Sequence, residues 1–251
     1  MIIRNRDMNL IVDIGNSRAK AVIMASSQVV AEYVAEQPEE LWLRDIVSRH
    51  DGVQQAIVSS TRGGEERVCS LLEELLGSVV CFRPGVTPVP IANRYHTPET
   101  LGADRLAAAV GASAMYSDGD VMVVDFGTAI TIDYVVDGKF VGGNISPGMT
   151  TRFRALADYT AKLPLCLPTD EVLTYGRTTS EAIEQGVMQG ITNEIEGYIE
   201  AFLHKKTKKY IIFTGGDAKY FVKRIKNTIF ADCEPVICGL NRILNYNADK
   251  I

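Results

Sequence analysis

Two stretches of this chain repeat one pattern, in which an apolar strand runs into an Asp-x-Gly turn and a second strand leaves it. The first copy spans Leu10–Met24 and the second spans Val121–Val136. A short apolar run that ends at a glycine is typical of a buried strand rather than of a helix. Because the two copies are offset by close to half of the 251 residues, the repeat predicts two related halves, at residues 1–117 and 118–251.

Each turn presents a carboxylate, a glycine and a small polar residue at the end of a strand. Glycine lets a backbone approach a ligand closely, and successive amides of a tight turn bind anions. A buried carboxylate is unfavourable unless it is paired, hydrogen-bonded or bound to a cation. Two facing turns of this kind predict a clamp for a triphosphate, although ordinary turn chemistry explains either copy alone. The aligned residues are Asp13 with Asp125, Gly15 with Gly127, and Asn16 with Thr128, followed by Ser17 in the first copy.

Charge and hydropathy argue against several classes of protein. The formal net charge is −5, so the chain has no basic field to attract nucleic acid or an anionic membrane. No apolar run approaches the roughly 20 residues that a membrane span needs. The polar N-terminus does not have the pattern of a signal peptide. We therefore expect a cytoplasmic protein with no nucleic-acid or membrane partner.

The cysteines follow no metal or disulfide pattern. They are odd in number and widely scattered, none forms a Cys-x-x-Cys pair, and the three histidines lie far apart in the sequence. These spacings argue against a zinc site and against a disulfide framework. Reduced, buried thiols are the expectation for a cytoplasmic protein. The five positions are Cys69, Cys81, Cys166, Cys233 and Cys238.

The remaining pattern predicts an α/β protein whose halves both begin with three strands. Apolar residues lie in short runs typical of strands and recur with helical spacing in longer segments. After the first strand pair we predict strands at Val29–Ala35, Gln55–Ser60 and Val79–Phe82, and helices at Pro38–Ser48, Gly64–Leu76 and Leu101–Tyr116. In the second half we predict strands at Val121–Asp125, Thr131–Val136, Phe140–Asn144 and Lys209–Phe213, and helices at Pro147–Lys162, Ser180–Leu203 and Val236–Tyr246.

The segment from Tyr95 to Arg105 places an acid and a base at the start of a predicted helix. A helix N-terminus favours anions, and an arginine can hold a carboxylate or phosphate through two hydrogen bonds. Asp104 is a candidate general base, but it would serve equally well to stabilise the helix dipole.

Two glycine-rich segments have two interpretations each. The first, Gly142–Met149, is followed by Arg152 and Arg154; it is either a backbone approach site or a connector between a strand and a helix. The second, Gly215–Asp217, either packs against an adenine or only forms a tight turn.

Taken together, the motifs resemble those of type III pantothenate kinases. This family lies in the acetate kinase/sugar kinase/Hsp70/actin superfamily, in which the two halves are ribonuclease-H-like. The match extends from residue 10 to about residue 217, which is most of the chain. The matching motifs are Asp13–Ser17, Tyr95–Arg105, Asp125–Asp133, Gly142–Gly148 and Gly176–Thr179.

The resemblance implies a function and a set of roles. It implies ATP-dependent phosphorylation of pantothenate to 4'-phosphopantothenate, the first step towards coenzyme A. It also implies a nucleotide cleft between the duplicated halves, Mg²⁺, a monovalent cation (potassium or ammonium) and a homodimer. The implied ATP contacts are Asp13, Gly15, Asn16, Ser17, Lys20 and Thr128, with Asp13 also near magnesium and Asp125 holding the monovalent cation. Asp104 is implied as the catalytic base, and Tyr95, Gly102, Ala103, Arg105 and Thr179 as pantothenate contacts.

The sequence departs from the family pattern at two places, and it is compatible with two alternative functions. Ser17 stands where the family more often has threonine, and it keeps the hydroxyl. His96 and Thr97 are less usual residues at the two positions that follow Tyr95. The first alternative is a non-catalytic, nucleotide-binding accessory regulator of the same family. The second is a different small-molecule kinase of the superfamily.

Overall fold

The structure of the protein, a computed structural model, describes residues 8–204, 207–225, 229–230 and 234–248. The chain forms two compact units. The described residues of unit 1 are 8–115, 138–140 and 234–248, and those of unit 2 are 116–137 and 141–230, less the gaps just given. The predicted helix Val236–Tyr246 lies in unit 1 although it falls in the predicted second half. The division at residues 117 and 118 therefore stays a prediction about the duplication and does not delimit the compact units.

The described elements alternate strands and helices in both units. In chain order they are β1 (Met8–Ile14), β2 (Ala19–Ala25), β3 (Gln28–Ala35), α1 (Glu40–Ser48), β4 (Val53–Ser60), α2 (Glu65–Leu76), β5 (Val79–Cys81), β6 (Ala92–Asn93), a 3-10 turn (Pro98–Thr100), α3 (Ala103–Met115), β7 (Asp120–Phe126), β8 (Ala129–Val136), β9 (Lys139–Pro147), α4 (Met149–Asp158), α5 (Thr179–Leu203), β10 (Lys209–Thr214), α6 (Ala218–Phe221), β11 (Ile229–Phe230) and α7 (Pro235–Ala248).

The two sheets share one strand order, and this confirms the predicted α/β class with duplicated, ribonuclease-H-like halves. The first sheet runs β3-β2-β1-β4-β5, and the second runs β9-β8-β7-β10-β11. In each sheet the first strand pairs antiparallel with the second and parallel with the fourth. A further short strand, β6, pairs in parallel with Lys139 and Phe140 at the start of β9.

Helical periodicity determines which face of each long helix is buried. In α5 five of the buried residues recur every four positions and join the core of unit 2: Ile183, Val187, Ile191, Ile195 and Ile199. This spacing places them on one face of the helix. Although α5 has 25 residues, no described helix is both long and apolar enough to cross a membrane.

The closing helix α7 packs backbone to backbone against α3. A Cβ on Gly239 would lie 1.8 Å from the Ala107 carbonyl oxygen, and one on Gly111 would lie 2.1 Å from the Pro235 carbonyl oxygen. Neither glycine has room for a side chain. This close packing is the reason why α7 belongs to unit 1.

We expect Gly239→Ala to lower the free energy of unfolding by about 2 kcal/mol or more, because the added methyl group forces the two helices apart. The measurement is urea unfolding. Gly186→Ala in α5 is the control. A Cβ there meets no atom within 4 Å, so alanine should stabilise the helix by roughly 0.5–1 kcal/mol. Equal effects at the two positions would contradict the packing described above.

The predicted helix from Pro147 to Lys162 is wrong at both ends. Pro147 is the last residue of β9, and the helix occupies Met149–Asp158 with Gly148 before it in an extended conformation. Proline lacks the N–H that a central strand requires, but it is tolerated where a strand ends. Likewise, β9 continues beyond the predicted strand end at Asn144 and includes Ile145, Ser146 and Pro147. Arg152 Nε donates to the Pro147 carbonyl oxygen at 2.8 Å.

The expectation of reduced thiols throughout is also wrong. Cys69 and Cys81 form a disulfide that joins α2 to the end of β5, with their Cα atoms 6.1 Å apart. Cys238 is disulfide-bonded as well, whereas Cys166 is free and buried. The 12-residue separation of Cys69 and Cys81 matches no sequence motif, because the packing of α2 against β5 brings the two residues together. Cys233 lies outside the described residues.

Candidate active site

The first Asp-x-Gly turn places a carboxylate and an ammonium next to each other at one end of β1 and β2. Asp13 pairs with Lys20 across the antiparallel strands and with Ser59 on the parallel strand β4. The turn is closed by a hydrogen bond of 3.0 Å from the Gly15 amide to the Arg18 carbonyl oxygen. The tip residues, Asn16 and Ser17, are exposed.

Asp13 is held in an environment that disfavours its charge. Burial raises the pKa of this carboxyl to about 7, and the negative charges of Asp104 and Glu234 add to the shift. Ser59 and the Lys20 ammonium offset only part of it. Among the described residues, the buried Asp13 Oδ1 atom has no hydrogen-bond partner. Such an oxygen is suited to bind a divalent cation, which would satisfy the oxygen and favour its ionised form.

Lys20 lies close to two carboxylates. Its Nζ atom lies 2.5 Å from Glu234 Oε2 and 3.2 Å from Glu32 Oε1. Partial burial works against the ammonium charge, but the hydrogen bonds and charges of the two glutamates outweigh it and raise the pKa of Lys20. Sequence reasoning missed Glu234 because no motif surrounds it and 214 residues separate it from Lys20.

The start of α3 places a second, partly buried carboxylate in unit 1. Asp104 Oδ1 accepts a hydrogen bond of 2.8 Å from the Arg105 amide. A Cβ on Gly102 would lie 2.5 Å from this same oxygen, so the position requires glycine. Burial raises the pKa of Asp104, although the Arg105 amide and guanidinium counteract part of the effect. Ala103, the first residue of the helix, is buried.

The segment before α3 brings an aromatic ring to the buried arginine. Arg105 Cζ lies 5.7 Å from the centre of the Tyr95 ring, and this ring packs against Phe140 with 6.0 Å between centres. The Tyr95 amide donates to Asn93 Oδ1 at 2.9 Å, which fixes the bend in the chain. The structure thus places Arg105 over the Tyr95 ring and Gly102 against the Asp104 carboxylate.

The second Asp-x-Gly turn, in unit 2, packs tightly on the start of α4. Its closing hydrogen bond, from the Gly127 amide to the Ala129 carbonyl oxygen, is 3.1 Å long. The Thr128 carbonyl oxygen accepts from the Gly148 amide at 3.0 Å and from Thr151 Oγ1 at 2.7 Å. A Cβ on Gly148 would lie only 2.1 Å from the Gly127 carbonyl oxygen, so Gly148 permits this packing.

Asp125 lies against the glycine turn that precedes α6. A Cβ on Gly215 would lie 2.3 Å from Asp125 Oδ1 and 2.6 Å from the Phe126 carbonyl oxygen. Gly215 also has a positive φ of 92°, which strongly favours glycine. Because Gly215 has no side chain, its backbone lies close to both the Asp125 carboxylate and the Phe126 carbonyl oxygen. Oxygen atoms of these kinds are ligands for hard cations.

Thr179 lies at the start of α5, in unit 2, and is exposed. The helix begins with reciprocal capping. Thr178 Oγ1 accepts from the Glu181 amide at 3.2 Å, and Glu181 Oε2 accepts from the Arg177 amide at 2.7 Å. The cap fixes the backbone beside Thr179 and leaves its side chain accessible to solvent.

No group of three or more histidine, cysteine or acidic side chains lies close enough to hold a metal ion within the parts of the chain that the structure describes. Magnesium commonly binds through one or two carboxylates together with substrate phosphates, so it does not require such a group.

Comparisons with known proteins match this chain to one family. A sequence profile described as type III pantothenate kinase matches residues 9–201. A type III pantothenate kinase from Bacteroides fragilis is 41% identical over 245 residues, which cover 97% of this chain and 100% of the relative.

Two solved structures share the fold at low sequence identity. A candidate Baf family transcriptional activator from Campylobacter jejuni matches with a TM-score of 0.64 and 21% identity, covering 96% of this chain and 99% of that chain. A candidate N-acetylmannosamine kinase from Listeria monocytogenes matches with a TM-score of 0.57 and 15% identity, covering 96% of this chain and 100% of that chain. The profile match over most of the chain and the full-length relative show that this chain belongs to the type III pantothenate kinase family.

Proposed function

We infer that this chain uses ATP to phosphorylate the primary hydroxyl of pantothenate, forming 4'-phosphopantothenate in the first step of coenzyme A biosynthesis. Family membership over nearly the whole chain supports this activity. The structural observation that carries the proposal is the partly buried Asp104 carboxylate, which accepts from the Arg105 amide and lies against Gly102.

Asp104 is the proposed catalytic base. Phosphoryl transfer depends mainly on positioning and on neutralising charge. Asp104 takes the proton of the attacking hydroxyl as the oxygen–phosphorus bond forms and the bond to the leaving phosphate oxygen breaks. Burial raises its pKa, which makes the carboxylate a better proton acceptor than an exposed aspartate.

Pantothenate is proposed to bind around the start of α3. Its carboxylate suits the guanidinium of Arg105, which can make two parallel hydrogen bonds. The Tyr95 ring beside that guanidinium supplies an apolar face and a hydroxyl, and Gly102 and Ala103 supply close backbone contact. Thr179 is proposed as a further contact, because its hydroxyl is exposed at a capped helix end.

ATP is proposed to use the two Asp-x-Gly turns and Lys20. The proposed contacts to its phosphates are Gly15, Asn16, Ser17 and the Lys20 ammonium, and Thr128 is a further proposed contact to ATP. When bound with ATP, a divalent metal supplies positive charge to the phosphates. Asp13 would hold it, because its buried Oδ1 otherwise lacks a partner among the described residues.

We propose that Asp125 holds a monovalent cation, potassium or ammonium, which supports ATP binding. Removing both ions should therefore raise the KM for ATP by about tenfold or more. A tenfold change corresponds to about 1.4 kcal/mol of binding free energy, which is the size of one ionic contact. The measurement is a steady-state assay in sodium-free Tris buffer with added potassium chloride or, for constant ionic strength, choline chloride. Asp125→Asn is the matched variant and should respond weakly to potassium. Equal activity of the natural protein in both salts would contradict the assignment.

We propose that the chain forms a homodimer through the segment between α4 and α5. Five large apolar side chains are 60–89% exposed there. Single exposed apolar residues are common on protein surfaces, but a group of five in one segment is typical of an interaction surface. Light scattering after gel filtration should give twice the chain mass, and Leu167→Ser with Tyr175→Ser should shift it towards the monomer. A natural protein that is monomeric at micromolar concentration would contradict this proposal. The five residues are Tyr159, Leu165, Leu167, Val172 and Tyr175.

A coupled assay of ADP release tests the function as a whole. Release that depends on pantothenate supports the kinase. Release without pantothenate, or only with another alcohol, would indicate a different kinase or ATPase of the superfamily. Nucleotide binding without any release would indicate a non-catalytic regulator. The presence of both Asp104 and Arg105 at the start of α3 favours the kinase. The cytoplasmic location stays a prediction.

A further inference from the structure

We propose that Glu234 is a positioning residue for the reaction, which holds the Lys20 ammonium beside Asp13 in the place where it meets the phosphates of ATP. This inference rests on the proposed role of Lys20 in binding ATP. Glu234 lies immediately before α7, far in sequence from every motif of the site.

The contact itself is short and partly shielded from water. The distance from Lys20 Nζ to Glu234 Oε2 is 2.5 Å, and the two side chains are 21% and 36% exposed. The other carboxylate partner, Glu32, lies 3.2 Å away and is 49% exposed. Since exposed ion pairs contribute little, the Glu234 contact is the one that should hold the ammonium.

Holding Lys20 in advance lowers the cost of binding a phosphate. A lysine side chain has many rotamers, and this conformational entropy is lost when its ammonium is fixed on a ligand. If the ammonium is already fixed in the free protein, that loss no longer opposes ATP binding. Glu234 is expected to act in this way because Lys20 and Asp13 are partners across β1 and β2 and their charges interact.

The position of Glu234 is itself rigidly fixed. Asn9, on β1, donates to Asn241 at 2.5 Å and to Asn245 at 2.9 Å, and these bonds attach α7 to the first sheet. Because Gly111 and Gly239 have no side chains, the backbones of α7 and α3 also pack directly against each other. Because α3 begins next to Asp104, one pair of packed helices sets the positions of both the Glu234 carboxylate and the proposed catalytic base.

The opposite role for Glu234 would be to compete with ATP. A carboxylate close to Lys20 repels phosphates and occupies the ammonium, so its removal would then improve ATP binding. The two roles predict opposite changes in the KM for ATP, so the choice between them can be measured.

The experiment compares Glu234→Gln, Glu234→Asp and Glu32→Gln in the full-length chain. Glu234→Gln should raise the KM for ATP by about tenfold, equivalent to a lost ionic contact, with a smaller change in kcat. Glu234→Asp keeps the charge and should recover part of the loss. Glu32→Gln, the control for a nearby carboxylate, should change the KM for ATP by no more than about twofold. A lower KM in Glu234→Gln would overturn the proposal in favour of competition.

Lys20→Met separates this inference from the proposed function. If Lys20→Met leaves the KM for ATP unchanged, the proposed phosphate contact of Lys20 is wrong. If Lys20→Met raises the KM, then adding Glu234→Gln to it should have little further effect, because Glu234 acts through Lys20. The same factor in both backgrounds would overturn the positioning role. Should Glu234→Gln unfold, as thermal melting would reveal, the comparison is made with Glu234→Asp in the two backgrounds.

Discussion

Replacing Asp104 with asparagine is expected to lower kcat by about 10²–10⁴-fold, the usual contribution of a positioned general base. Asparagine retains the oxygen that accepts the Arg105 amide, so the start of α3 should keep its structure. It cannot take a proton from the substrate hydroxyl. The affinity for ATP, measured by equilibrium binding, should therefore remain close to that of the natural protein.

The control for this substitution is Asp118→Asn, which changes an aspartate paired with Lys208 on the surface of unit 2. It should leave kcat unchanged. An Asp104→Asn protein with nearly natural turnover would show that Asp104 only stabilises the start of the helix, the other interpretation that the sequence allowed.

Replacing Asp13 with asparagine is expected to abolish most activity and at the same time to stabilise the ligand-free protein at high pH. The pKa of Asp13 is about 7 in the folded chain, against a usual value of 3.8. Between these two values the folded state binds more protons than the unfolded state. The free energy of unfolding therefore falls as the pH rises from about 4 to 7, and the penalty is complete above pH 7. A difference of about three pKa units corresponds to at most about 4 kcal/mol.

The measurement is urea unfolding of both proteins without nucleotide or divalent metal, at pH 4 and pH 8. The gain from Asp13→Asn should be largest at pH 8 and should disappear towards pH 4. Any packing cost of the amide is the same at both pH values, so the difference between them isolates the charge. A gain that does not depend on pH would show that Asp13 ionises normally in the folded chain.

The stabilisation and the loss of activity have one cause. The buried carboxylate is unfavourable in the empty site because burial and the neighbouring charges of Asp104 and Glu234 disfavour its ionised form. A divalent cation bound there would remove that penalty. We therefore expect ATP with magnesium to stabilise the natural protein more than Asp13→Asn.

Local sequence determined much of the fold and most of the candidate site. The Asp-x-Gly turns and their flanking strands are defined by residues adjacent in the chain, and the two sheets share one strand order, as two related halves should. The segment from Tyr95 to Arg105 is local in the same sense, because its glycine, its helix start and its acid lie within a few residues. Strand periodicity, turn glycines and helix starts are short-range signals, so a single sequence contains them.

Only the tertiary structure decided which distant residues meet. The sequence does not show that Glu234 contacts Lys20, that Cys69 pairs with Cys81, or that α7 packs on α3. Each of these contacts depends on how helices pack on a sheet or on one another, and neither partner has a local signal that specifies the other. The polar turn of β1 and β2 could be predicted from the chain, but the carboxylate that holds its lysine is supplied by long-range packing.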